Sequence, residues 1–149
     1  MNDALARVAA ETGLLDPARQ RLRLAFALAC VRRVEHLLED ERAKEGLAVL
    51  QAWVEGRADD AALQAAATRM QAVANGHRGS NSIDGSAHAA VSATYAVANA
   101  VAGRALEAAS YAAYASVYAY GGYAVNDRAS FEPEFAWQVQ ELGRLSGKG

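Results

Sequence analysis

The sequence predicts an all-α protein, a single-domain, alanine-rich helical bundle of six or seven helices, and three observations carry that prediction. Alanine, leucine and arginine dominate and glutamate recurs along the chain, and all four are strong helix formers. β-branched residues are scattered and never alternate with polar ones over the length of a strand. The two prolines, Pro17 and Pro133, each follow an acidic residue, Asp16 or Glu132, where they start a helix rather than break one. A chain of 149 residues is the size of one domain with a real core, so a single unit over 1–149 is expected.

A first short helix is predicted over 3–12, stopped by Gly13, and Asp16 opens a longer one to about Glu39. Leu22, Phe26, Cys30, Val34 and Leu37 recur at three- and four-residue spacing and make its buried face. Asp40 and Glu41 cap a third helix that points Leu47, Leu50 and Trp53 or Val54 inward before Gly56, with Trp53 as a core anchor. Asp59 and Asp60 cap a fourth through Asn75, with Leu63, Ala67, Met70 and Val73 inward and Gly76 as a left-handed terminator. The stretch at about 76–86 is one long loop, rich in residues that hydrogen-bond their own backbone. From 86 to 125 the helical pattern is too long for one globular helix and should break near Gly103, with Gly121 and Gly122 ending the second piece. A last helix from Pro133 to about Leu142 presents Phe135, Trp137 or Ala136, and Val139 to the bundle.

Dense alanine lets helix axes approach closely, but each methyl buries little area, worth roughly 25 cal/mol per Å². Large residues must therefore key the core. Tyr111, Tyr114 and Tyr118 follow i, i+3, i+7 spacing and share a face, with Tyr95, Tyr120 and Tyr123 near in sequence. Such rings either fill gaps between alanine-rich helices or form an aromatic interaction surface.

Composition excludes several functions. A hydrophobic fraction of 52% with 21% charged residues is that of a folding globular chain. A net charge of −2 offers no field for nucleic acid or an anionic membrane. The basic residues Arg19, Arg21, Arg23, Arg32 and Arg33 spread around their helix and precede Glu35, Glu39, Asp40 and Glu41, the pattern of a solvated, salt-bridged surface. The one cysteine, Cys30, needs no oxidising compartment. The N-terminal residues lack the apolar run of a signal peptide, and 87–101 is too short and too weakly apolar to span a bilayer, so a cytoplasmic location is expected.

No catalytic set emerges. Glu-x-x-His, His-Glu-x-x-His, Gly-x-Ser-x-Gly and the glycine-rich nucleotide loops are absent. Cys30 lies mid-helix on the apolar face, and His36 suits a helix C-terminus. His77, Asp84 and His88 have metal-ligand letters, which loop and capping roles explain equally, so neither metal nor cofactor is expected.

The segment Leu24-Ala25-Phe26-Ala27-Leu28-Ala29-Cys30 followed by Arg33, then Asp40-Glu41-Arg42, then Ala52-Trp53 with Gly56, precedes an alanine-rich second half that closes on Trp137-Gln138. With these letters the chain, from about 19 to 142, resembles the immunity-5-like family of bacterial polymorphic toxin systems. The resemblance implies a non-enzymatic protein that seals a cognate toxin's active site or substrate path, and the lack of an export signal puts that meeting inside the cell. Contacts would then come from exposed loops and charged helix ends: Glu39, Asp40, Glu41, Arg42, His77, Arg78 and Asp84. The competing expectation is a self-associating helical scaffold or adaptor, a homo-oligomer that buries the tyrosine face.

Overall fold

The computed structural model describes residues 2–76 and 86–147, with 86 and 87 described by backbone alone. Among the described residues seven α-helices and no strand occur: α1 Asp3–Thr12, α2 Gln20–Arg32, α3 Glu41–Val54, α4 Asp60–Gly76, α5 Ser86–Val101, α6 Ala105–Tyr120 and α7 Glu132–Leu145. Short 3-10 turns at Pro17–Arg19, Glu35–Leu37, Gly122–Asn126 and Arg128–Phe131 link them. None of the described helices is long and apolar enough to cross a membrane.

Local signals place most of the boundaries. Asn2 caps α1 by accepting from the Leu5 amide, and Gly13 ends it at φ 70°, a left-handed conformation that glycine adopts without penalty. Asp16, Asp40 and Asp59 each accept a backbone N–H of the following turn. Gly103, at φ 80°, divides α5 from α6 where the length argument requires a break. α6 stops at Tyr120, directly before the glycine pair.

Two ends differ from expectation. α2 stops at Arg32, seven residues short, and the chain continues through a 3-10 turn into extended Leu38. No glycine or proline lies between 33 and 39, so the stop is not local: the chain must reverse here for Leu47 and Leu50 to reach the core that Phe26 and Cys30 occupy. Val34 stays buried, but Leu38 takes the inner place expected of Leu37, which is half-buried. Gly76 is the last residue of α4 and does not have positive φ, so the left-handed terminator expected there is absent.

The core runs between α2, α3, α4, α5 and α6, and α5 with α6 forms its most extensive pair. Both bury mostly alanine: Ala93, Ala96 and Ala100 on α5, and Ala105, Ala108 and Ala112 on α6. Phe26, Leu24, Leu50 and Met70 supply the bulk. Where α3 crosses this core, Gly46 lets Met70 and Val97 approach its backbone; a Cβ there would stand 2.8 Å from Met70 Cγ. On α4, Leu63, Met70 and Val73 point inward as predicted, joined by Ala66 and Ala74, while Ala67 is half-buried. Trp53 is half-buried at the rim rather than anchored within, because its indole N–H donates to Asp60 at 2.8 Å.

The inner stripe of α7 also differs. Phe135, Trp137 and Val139 pack partly and Ala136 is exposed, whereas Glu134, Gln138 and Leu142 face inward. Glu134 and Gln138 are 6% and 1% exposed, tolerable only because both are fully partnered. Gln138 donates to the Ala109 carbonyl at 2.9 Å and accepts from Asn2 at 3.2 Å, and Asn2 also donates to the Phe135 carbonyl. These bonds fasten α1 and α6 to α7.

Candidate interaction surface

The acidic turn before α3 is exposed but largely satisfied within itself. Asp40 caps the helix and takes Arg42 in an ion pair at 2.7 Å, which raises the Arg42 pKa through the hydrogen bond and the charge together. Glu41 pairs with Lys44 at 3.0 Å, and Glu39 is exposed. Trp53 beside Asp60, and Gly46 beside Met70, make α3 and α4 an antiparallel hairpin. The turn therefore lies at the same end of the hairpin as Gly76, the last residue of α4. His77, Arg78 and Asp84 lie outside the described residues.

The predicted basic surface of α2 makes mostly structural contacts. Arg21 donates to the Val54 carbonyl, Arg23 to the carbonyls of Leu14 and Asp16, and Arg32 to Gln51 and Glu35. These bonds hold neighbouring segments against the helix, which the spread of arginines around it makes possible.

The tyrosines do two things at once. Tyr95 stacks on Tyr111 at 5.2 Å between ring centres, and His88 lies on Tyr118 at the same separation, so α5 and α6 run antiparallel with rings along their seam. Tyr118 leads to Tyr114 at 6.3 Å, Tyr114 meets Phe131 edge-on at 5.1 Å, and Phe131 meets Phe135 at 5.5 Å. A continuous row of five rings thus crosses from the start of α5 to α7. Tyr114 within the row and Tyr111 beside Tyr95 remain exposed, and Tyr120 and Tyr123, which join no ring of the row, are 77% and 73% exposed. The i, i+3, i+7 spacing marked three members of this surface; Phe131 and Phe135 join only because the chain folds back.

Beside the row two adjoining hollows open between α1, α6 and α7, with volumes of about 630 and 320 Å³. A groove of about 930 Å³ lies on another face, lined by Arg23, Arg104, Gln64, Gln71 and Asn75 with Leu24 and Leu63. Both guanidiniums there are held by neutral acceptors, Arg104 by Asn99 and Gln71.

Cys30 is fully buried in the core, and burial pushes its thiol pKa far up, with Glu134 and Glu141 adding to the shift. A thiol so held is no nucleophile. Among the described residues no group of three or more His, Cys, Asp or Glu side chains is placed to hold a metal ion; the His77, Asp84 and His88 combination falls partly outside them.

A family model described as Imm-5 like putative immunity protein matches residues 13–145. No curated protein and no solved structure matches the chain.

Proposed function

Because the chain belongs to the Imm-5 like family, we propose that it is an immunity protein that binds a cognate bacterial toxin and silences it by occlusion, without chemistry of its own. The match over 13–145 carries this reading. The surface chemistry supports it: tyrosine offers large contact area at low entropic cost, and Tyr111, Tyr114, Tyr120 and Tyr123 stand exposed. Glu39, Asp40, Glu41 and Arg42, with His77, Arg78 and Asp84, are the charged contacts proposed beside it.

The protein acts as one helical domain inside the producing cell, where a reduced, buried Cys30 is at home. Its partner is a toxin of a polymorphic system. The test is co-expression with the reading frame adjacent to its gene. A neighbouring product that kills when expressed alone, is tolerated with this chain and co-purifies with it in fixed stoichiometry supports the reading. A harmless neighbour, or no neighbour that binds, overturns it.

Self-association as a scaffold is the second reading, favoured by the exposure of Tyr120 and Tyr123. Sedimentation of the purified chain separates the two, since a monomer at micromolar concentration excludes the scaffold.

A further inference from the structure

We propose that the slot between α1, α6 and α7 receives a single large apolar side chain, aromatic or leucine-like, carried on a partner segment flanked by lysine or arginine. The immunity reading supplies the partner's identity as a toxin; the slot alone supplies the chemistry.

The two hollows share Asn2, Ser110 and Phe135 and so form one recess. Tyr114, Phe131 and Val139 wall the larger part, and Leu5 and Leu106 the smaller. The walls are prepared in advance. Phe131 is wedged between Tyr114 and Phe135, while Asn2 ties α1 to the Phe135 carbonyl and to Gln138. A guest side chain would therefore lose its own freedom but ask little reorganisation of its host.

The rim decides which guests fit. Asp3 and Glu132 stand at the larger hollow and Glu107 at the smaller, against one cation, Arg128. All four are exposed, and among the described residues none of the three carboxylates makes an ion pair. The apolar lining of the smaller hollow, with three unpaired carboxylates against one cation around the recess, matches an apolar anchor with cations on either side and penalises an acidic segment by like-charge approach.

The test uses the full chain, isotope-labelled for amide NMR, and two capped hexapeptides, Lys-Arg-Leu-Trp-Lys-Arg and Glu-Asp-Leu-Trp-Glu-Asp. The cationic peptide is expected to give saturable shifts at Ser110, Tyr114, Phe131 and Phe135, weakened by added salt. Ser110→Trp fills the recess from an exposed helix position, and paired Glu107→Lys and Glu132→Lys reverse its rim without touching its walls. Each is expected to weaken that binding about tenfold or more while circular dichroism stays unchanged. Equal binding of the acidic peptide, undiminished binding to Ser110→Trp, or shifts elsewhere overturn the proposal. A Ser110→Trp chain that still neutralises the adjacent toxin at full affinity overturns the slot and leaves the immunity reading intact. Slot binding by a chain that protects against no adjacent gene product does the reverse.

Discussion

Arg33 grips Glu134 through two hydrogen bonds, Nε to Oε1 at 2.6 Å and Nη2 to Oε2 at 2.9 Å, across 101 residues of chain. The same guanidinium lies 4.2 Å from the centre of the Trp137 ring, so one side chain fastens the end of α2 to the first turn of α7. Glu134 is buried beneath it, and the Arg33 pKa is raised, first by its hydrogen bond to Glu134.

Removing Arg33 leaves a buried carboxylate with no cation. Because the guanidinium itself is partly in water, Arg33→Ala should cost about 2 kcal/mol, less than a fully buried pair. Urea unfolding measures this. The double change Arg33→Met with Glu134→Leu should recover most of the loss, since apolar packing replaces such a pair at little cost.

Gly46→Ala should destabilise despite alanine's helix propensity. The added methyl meets Met70 Cγ at 2.8 Å and Sδ at 2.9 Å, and Met70 is itself buried. Overpacking of about 1–3 kcal/mol outweighs a propensity gain of about 1. A rise in melting temperature would show that Met70 can swing aside.

The acidic turn separates stability from binding. Asp40→Ala should cost about 1 kcal/mol because a helix cap is lost. Charge reversal at exposed Glu39 and Glu41 should leave the thermal midpoint nearly unchanged, so any loss of toxin affinity there reports contact directly. Unchanged affinity would remove the turn from the interface.

Cys30 should resist thiol reagents in the native protein and react at once in denaturant. A pKa raised on folding means the folded state holds the proton more tightly, so this contribution to stability is complete below the ordinary thiol value of 9.0 and declines as pH rises above it. Thiol titration with and without urea checks the first point, and alkaline unfolding the second.

Tyr120→Ser with Tyr123→Ser removes two exposed rings and should change stability by no more than about 0.5 kcal/mol. Toxin affinity should fall if these exposed rings belong to the contact face. Calorimetric titration of the purified pair checks this, and unchanged affinity would remove both rings from the interface.

What the amino-acid order determined alone is the helical class, the caps at Asp16, Asp40 and Asp59, the stop at Gly13 and the break at Gly103. Each of these is a transaction within a few residues, written in side chains that bond or free their own backbone. The tertiary structure decided the rest. α2 ends at Arg32 with no local stop, Glu134 and Gln138 turn inward where apolar neighbours were expected, and rings from 88 to 135 meet in one row. Those outcomes depend on partners distant in the chain: a buried carboxylate is tolerable only once Arg33 arrives, and an apolar slot exists only when α1, α6 and α7 converge. Short-range pattern cannot carry such information, because burial of a polar or aromatic side chain is a property of its neighbours in space.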